Sequence, residues 1–201
     1  MATRYTATGS PGPYPVLLAD VKSYLRVDST ADDDVITLMI EASTQFAETY
    51  ISRDLRTRSW IATLDRFVEE FTDRIELRRN QIDTITAVKY FNNETIPVET
   101  TIPATDYYPR KGQWWGYVVL KSTSDWPDDL DDVQEEQRIT VEFTTIPPVN
   151  IEQIQLALLR MIAAMYENRG DCGGCGTSAE AANLAGRLGG PFLSQFRIPR
   201  I

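Results

Sequence analysis

The sequence predicts an α+β protein, with an antiparallel helical core, an inserted small antiparallel β subdomain and extended N- and C-terminal arms. Three observations support this prediction. Apolar residues recur at steps of three and four before residue 53 and again after residue 150. Between these segments, residues 57–147 alternate with period two and are broken by turn residues. Both ends contain glycine and proline and lack an apolar period long enough for a core of their own.

The prediction divides the chain into four parts. The N-terminal arm covers residues 1–15, and the C-terminal arm covers residues 189–201. The helical core combines residues 16–56 with 148–188, and residues 57–147 form the β subdomain. A chain of 201 residues is long enough to bury a core of this kind.

The clearest helix prediction spans Asn150 to Gly170. Asn150 is a favourable N-cap, Gln153 stands at the capping-box position, and Gly170 suits the residue after a helix end. A core helix of this kind indicates no function, and we expect Leu158 to be buried on its apolar face. That face consists of Ile151, Ile154, Leu158, Met161 and Met165.

Two earlier segments predict the other core helices. A short helix runs from about Leu18 to Val27, and a longer one begins after the hydroxyl residues Ser29 and Thr30 and ends near Ser52. The longer helix has a wide apolar face, which indicates more than one neighbour, and we expect Phe46 to be buried on it. Its first turn is acidic, which suits the helix dipole better than it indicates a metal site. These acids are Asp32, Asp33 and Asp34.

Alternation predicts the strands of the β subdomain. Residues 139–143 form the clearest strand, and Asn92-Asn93 predicts a hairpin turn between strands at 85–91 and 95–98. An aromatic cluster follows that is not interleaved with basic residues, so we favour core packing over base stacking. A hairpin tip at 113–115 that contacts a partner is the second interpretation. The cluster consists of Tyr107, Tyr108, Trp114, Trp115 and Tyr117.

Composition excludes several classes of function. The net charge of −9 argues against nucleic-acid binding through a broad basic face. The absence of histidine removes Ser-His-Asp and Cys-His catalysis and the common zinc signatures, and no phosphate-loop or dinucleotide-binding motif is present. No apolar run approaches the roughly 18 residues of a membrane span, and residues 1–15 lack the apolar core of a signal peptide. We therefore expect a soluble protein made in the cytoplasm, with no membrane contact, and we assign it no cofactor and no metal. Enzymes without histidine exist, but their motifs would have to show elsewhere in the chain.

Two further segments have open interpretations. Residues 121–142 contain eight acids against two basic residues, and they fit a solvated acidic loop better than a calcium loop. Cys172 and Cys175 form a Cys-x-x-Cys motif among glycines, after a helix rather than after a strand. We favour a flexible loop with incidental thiols, while a redox site or a metal site shared between subunits stays an alternative.

Several short motifs follow one another in a recognisable order, and none of them is catalytic. They are Leu25-Arg26-Val27-Asp28, Arg58-Ser59-Trp60, Leu64-Asp65-Arg66-Phe67, Ile85-Thr86-Ala87-Val88-Lys89-Tyr90, Asp106-Tyr107-Tyr108, Val141-Glu142-Phe143 and Met165-Tyr166-Glu167-Asn168-Arg169. Their order resembles the head-to-tail connector (adaptor) proteins of tailed bacteriophages and gene transfer agents. The resemblance covers residues 16–169 and the terminal Pro-Arg-Ile.

The resemblance implies a non-enzymatic, structural ring protein, usually a dodecamer. It lies beneath the portal in the neck of the virion and is assembled in the bacterial host cytoplasm. Such a ring extends the channel for double-stranded DNA, which passes without specific binding, and docks the tail or the next neck protein. The C-terminal arm would bind the portal. The portal-binding residues implied are Pro191, Phe192, Leu193, Phe196, Arg197, Ile198, Arg200 and Ile201.

An acidic chain suits a tube through which DNA slides without adhering. We expect some of its acids to face the channel. The alternatives to a connector are a tail-completion or terminator subunit, or a redox or metal protein that uses Cys172 and Cys175. The candidate channel-lining residues are Asp32, Asp33, Asp34, Asp128, Asp129, Asp131 and Asp132.

Overall fold

The structure is a computed structural model, and the chain divides into two compact units. The β unit contains Met1–Gly12 and Arg56–Pro147, and the helical unit contains Pro13–Leu55 and Pro148–Ile201. Helices and two antiparallel sheets are present, so the predicted α+β class is confirmed. The structure describes residues 3–67, 74–94, 96–112, 115–128, 130, 138–148, 151–169, 187 and 190–197.

The β unit contains a five-stranded and a three-stranded sheet. The order is β1-β2-β8-β4-β5 in the first and β3-β7-β6 in the second, with antiparallel neighbours throughout. The strands are β1 Arg4–Thr8, β2 Arg58–Leu64, β3 Arg74–Leu77, β4 Gln81–Phe91, β5 Glu99–Thr101, β6 Tyr107–Lys111, β7 Gly116–Leu120 and β8 Ile139–Ile146.

The predicted strand at residues 139–143 is confirmed as part of β8, the middle strand of the larger sheet. Ile139, Val141 and Phe143 are buried, while the residues between them are half-buried, as a period of two requires. The β unit is tightly packed where β7 approaches β4. A Cβ atom added to Gly116 would lie 2.4 Å from Cγ1 of Ile82, so only glycine fits there without displacement of its neighbour.

Two details of the β unit differ from the sequence prediction. Residues 4–8 of the predicted N-terminal arm form β1, which pairs with β2 from Arg4↔Thr63 to Thr8↔Ser59. The second hairpin strand is β5 at residues 99–101, so its prediction at 95–98 was wrong. The preceding loop is longer than a two-residue turn because Asn92 closes it, with its Oδ1 accepting a hydrogen bond from Val98 N at 2.9 Å.

The helical unit is built on α1 Leu18–Leu25, α2 Asp33–Ile51 and α3 Glu152–Glu167. Helix α2 begins without the predicted hydroxyl cap, because Ser29 Oγ accepts a hydrogen bond from Ala31 N in the preceding turn. The predicted N-cap Asn150 lies outside the described residues. Both α1 and α2 end in a left-handed residue, Arg26 and Ser52, each with φ of 57°.

The core of the helical unit lies between α2 and α3. Leu158 is fully buried, as predicted. The prediction that Phe46 is buried was wrong, since its side chain is 41% exposed. Each residue turns a helix by about 100°, which separates the row containing Phe46 from the buried row beside it. The buried apolar residues of the two helices are Ile36, Ile40, Ala47 and Ile51 in α2 and Ile154, Ala157, Leu158, Met161, Ile162 and Ala164 in α3.

Candidate interaction surfaces

The acid Asp32, at the start of α2, holds the end of α3. Its Oδ2 accepts a hydrogen bond from the Tyr166 hydroxyl at 2.6 Å and lies 3.4 Å from Nη2 of Arg169. The Arg169 guanidinium also lies 3.7 Å from the centre of the Tyr166 ring. The hydrogen bond to Asp32 raises the pKa of Tyr166, because it favours the protonated hydroxyl.

The neighbouring acid Asp33 holds α1. Lys22 Nζ lies 2.6 Å from Asp33 Oδ1, and both side chains are partly buried. Asp32 and Asp33, predicted to line a channel, therefore connect helices within their own unit. Asp34 and Asp128 are exposed. The other channel-lining candidates, Asp129, Asp131 and Asp132, lie outside the described residues.

The predicted C-terminal arm packs on the helical unit as far as the structure describes it. Residues 190–193 are helical and continue into the 3-10 turn Ser194–Phe196. Leu193 is fully buried, and Phe192 packs against the same core with the Arg160 guanidinium 4.7 Å from its ring centre. Leu193 was predicted to contact a partner, but its apolar side chain is removed from water within its own chain.

The other residues of the predicted C-terminal arm differ in exposure. Phe196 is half-buried against the helical core, whereas Pro191 and Arg197 are exposed. The Arg197 guanidinium lies 5.7 Å from the ring centre of Tyr50. Ile198, Arg200 and Ile201 lie outside the described residues.

Helix α2 presents a row of exposed apolar side chains, which we call the α2 row. Its most exposed member is Leu38, at 64%, and Val35 and Phe46 are each 41% exposed. The spacing of three, four and four residues places the whole row on one face. The row therefore lies outside the core of its own unit. It consists of Val35, Leu38, Ala42 and Phe46.

A second exposed apolar pair, the α1 row, lies at the two ends of α1. Leu17, the extended N-cap residue just before the helix, is 59% exposed, and Tyr24 in its last turn is 44% exposed. The exposed acid Asp20 lies between them on the same side of the helix. The helical unit thus has two separate apolar rows that its own core leaves uncovered.

The β unit carries arginines over aromatic rings. The Arg79 guanidinium lies 4.1 Å from the ring centre of Trp60 and 5.0 Å from that of Tyr5. Arg78 lies 5.7 Å from the ring centre of Trp115. The rings thus come from parts of the chain that are distant in sequence from the arginines.

Two of the arginines in this region, Arg78 and Arg74, are partly neutralised by Glu76. Glu76 Oε2 lies 3.0 Å from Nη2 of Arg78, and Glu76 Oε1 lies 3.7 Å from Nη2 of Arg74. The Tyr5 hydroxyl accepts a hydrogen bond from the backbone N–H of Arg78 at 2.7 Å, and burial raises the pKa of Tyr5. This arrangement fastens β1 to the rest of the unit.

Two negative findings concern the described part of the chain. Within it, no three or more carboxylate and thiol side chains come together in a group that would hold a metal ion. Its helices are all too short or too polar to cross a membrane. Cys172 and Cys175 lie outside the described residues.

Comparison with known proteins shows which family the first half of the chain is similar to. Residues 16–108 match the family model of phage gp6-like head-tail connector proteins. The predicted resemblance is confirmed. The match includes α1, α2 and the first strands of the inserted β unit. No curated protein sequence matches the chain.

Solved structures with a similar fold match nearly the whole chain. A chain from the neck of an empty GTA particle, computed with C6 symmetry, matches with a TM-score of 0.68 and 17% identity, covering 98% of this chain and 97% of that one. A chain from the virion of a native gene transfer agent particle gives 0.64 at 16% identity, covering 98% and 96%. A chain from a native GTA neck, computed with C12 symmetry, gives 0.61 at 17%, covering 98% and 97%. At these identities, the likeness establishes a shared fold.

Proposed function

We propose that this protein is a structural head-to-tail connector (adaptor) of a tailed phage or phage-like particle. The observation that carries the proposal is the match of residues 16–108 to head-tail connector proteins. The shared fold with neck chains over 98% of the sequence supports it. The role is non-enzymatic, and it needs no cofactor.

The proposed assembly is a homo-oligomeric ring beneath the portal, in the neck of the virion. Solved relatives of the fold come from necks computed with C6 and C12 symmetry, which favours a dodecamer here. The ring extends the DNA channel on one side and docks the tail or the next neck protein on the other. Assembly takes place in the host cytoplasm.

The channel surface is proposed to be acidic. A net charge of −9 repels the phosphate backbone, so DNA slides past without binding. Asp34 and Asp128 are the described candidates that are exposed, and the segment containing Asp129, Asp131 and Asp132 adds to them. Asp32 and Asp33 would act indirectly, by holding the start of α2 in place.

The portal contact is proposed to lie at the C-terminal end. The packing of Leu193 against its own core fixes where the segment leaves the helical unit. The side chains proposed to reach the portal are the exposed or partly exposed ones and those that follow them. They are Pro191, Phe192, Phe196, Arg197, Ile198, Arg200 and Ile201.

The experiment is a cryo-EM map of the neck of purified particles, with particles from a strain deleted for this gene as the comparison. We expect a ring of this chain directly beneath the portal, and unjoined heads and tails after deletion. Density at the tail end of the neck, away from the portal, would indicate a tail-completion subunit instead. Intact particles that lack the chain would overturn the connector proposal.

A further inference from the structure

The C-terminal segment, which we define as residues 190–197, has one apolar anchor on the helical unit. Leu193 is fully buried and belongs to the buried cluster of this unit. Burial of a single apolar side chain is favourable, but it is not directional. Leu193 therefore holds the segment against the unit without fixing the direction in which the segment runs.

The covalent connection to α3 does not fix this direction either. Helix α3 ends at Glu167, and residues 170–189 precede the segment, so about 20 residues that can span about 60 Å connect the two. Phe192 nevertheless contacts Arg160, which lies about 10 Å back along the helix from Glu167. A connection of this length leaves the place of the segment to side-chain contacts.

Two polar residues of α3 contact the segment on either side of its anchor. The Arg160 guanidinium lies 4.7 Å from the ring centre of Phe192, the residue before Leu193. Gln153 Oε1 accepts a hydrogen bond from Nε2 of Gln195, which follows Leu193 in the 3-10 turn. A spacing of seven residues places Gln153 and Arg160 on one face of α3, about 10 Å apart along its axis. Contacts at two such points make the segment run antiparallel to α3.

Neither Arg160 nor Gln153 is needed to fill the core. Both side chains are exposed, and the buried apolar face of α3 consists of other residues. A more distant contact lies at the end of the segment, where the Arg197 guanidinium is 5.7 Å from the ring centre of Tyr50. Arg160 and Gln153 are therefore surface residues whose described ring contact and hydrogen bond are made with the segment.

We propose that Arg160, supported by Gln153, is a positioning residue for the portal contact. It fixes the direction in which the chain leaves the helical unit after Arg197, and it does not touch the portal itself. Leu193 supplies the apolar anchor, and the two α3 side chains supply the orientation. This inference rests on the proposed contact between the C-terminal end and the portal.

The first test measures how firmly the segment is docked in the purified, full-length chain. A nitroxide spin label is attached at Ser194→Cys, an exposed position, in a background with Cys172→Ser and Cys175→Ser. Arg160→Ala should raise the mobile fraction of the label about two- to fivefold, which is the factor that an exposed cation–π contact supplies. Arg160→Lys should restore most of the docking, because an ammonium group also binds an aromatic face.

Further variants complete this test. Gln153→Ala should also raise the mobile fraction, and its combination with Arg160→Ala should raise it more, since the two contacts lie on opposite sides of the anchor. The matched control is Arg110→Ala, an exposed arginine on β6, which should leave the label unchanged. All variants should keep the wild-type circular dichroism and melting temperature, because the altered side chains are exposed.

The second test counts heads joined to tails by electron microscopy, in strains whose particles carry the unlabelled variants. The double variant of Arg160→Ala and Gln153→Ala should reduce joined particles at least about threefold, because the portal binds only chains whose segment has the right direction. The loss in each copy accumulates over the copies of the ring. Arg160→Lys and Arg110→Ala should give wild-type numbers of joined particles.

The outcomes separate the positioning role from the function. A label that becomes mobile while tails join normally overturns the positioning role and leaves the connector role standing. A loss of joined tails with an immobile label shows that Arg160 touches the partner itself, which also overturns the positioning role. A label that stays immobile in the double variant does the same. A wild-type chain that is absent from the neck overturns the connector role itself.

Discussion

The two units differ in how their large apolar side chains are exposed. In the β unit, buried and half-buried residues alternate along β8. Among the described residues of this unit, the large exposed apolar ones are Ile96 and Val98 in a loop and Tyr108 on β6. In the helical unit, the longest helix leaves the α2 row exposed along its length. The β unit thus buries most of the large apolar side chains among its described residues. The helical unit leaves a row of them exposed, which suits contact with another chain.

The largest expected effects come from truncating each core separately. Leu158→Ala in the helical unit should cost about 2–5 kcal/mol, and Phe143→Ala in the β unit about 3–5 kcal/mol, since both side chains are fully buried. All four tryptophans lie in the β unit, so fluorescence reports that unit while ellipticity at 222 nm reports mainly the helices. Denaturant titrations followed by both signals give the two costs.

The same titrations examine whether the cores act separately. Each unit has its own cluster of buried residues, so Leu158→Ala should shift the helical transition more than the fluorescence transition. Phe143→Ala should do the reverse. Equal shifts of both signals in both variants would contradict the division into two cores.

The next effect concerns packing within the β unit. Gly116→Ala places a methyl group 2.4 Å from Ile82 Cγ1, so we expect a loss of about 1–3 kcal/mol of unfolding free energy. Gly12→Ala is the matched control in the same unit, because its new Cβ would lie 3.3 Å from Thr57 Cβ. Thermal melts followed by tryptophan fluorescence compare them. Similar melting temperatures for the two variants would show that β4 and β7 separate without cost.

A smaller loss of stability is expected at Arg79, whose guanidinium lies near the rings of Tyr5 and Trp60. Arg79→Ala removes contacts with Tyr5 and Trp60 and should cost about 1–2 kcal/mol in urea unfolding. Arg110→Ala, an exposed arginine on β6, is the control and should change stability by less than about 0.5 kcal/mol. An equal loss in the two variants would mean that general charge, rather than ring contact, stabilises β1.

The smallest expected effect is the pH-dependent contact at the start of α2. Tyr166 has a raised pKa in the folded chain, so its contribution is fully present below the unfolded pKa of about 10 and is lost as the pH rises through the folded value. Tyr166→Phe should lower the helical melting temperature slightly at pH 8. The difference should shrink above pH 10, and a difference that grows with pH would contradict the assigned hydrogen bond.

Local sequence patterns predicted the main helices and strands. Features that depend on contacts between distant segments could not be predicted from those patterns. Period two predicted β8, and the apolar face predicted α3. The width of the α2 face was interpreted as burial of Phe46, but periodicity cannot distinguish a surface covered by its own chain from one left for another. Residues 4–8 become a strand only because β2 offers an edge, which no local signal shows.

The candidate interaction surfaces were also predictable only in part. The exposed acids Asp34 and Asp128 follow from composition, but the roles of Asp32 and Asp33 depend on Tyr166 and Lys22, which are remote in sequence or lie on another helix. The arginines over aromatic rings were missed for the same reason. A signal was present in Arg74, Arg78 and Arg79, three arginines that lie within six residues at and just after one short strand.

The insertion of the β unit between α2 and α3 has a consequence for synthesis. About 100 residues separate Ile51 from Glu152, so at roughly 5–20 residues per second a ribosome needs about 5–20 seconds to deliver α3 after α2. During that interval, Ile36, Ile40 and Ala47 lack the helix that buries them. The β unit is completed first, since β8 leaves the ribosome before α3, and the nascent helical pair waits longest for its partner.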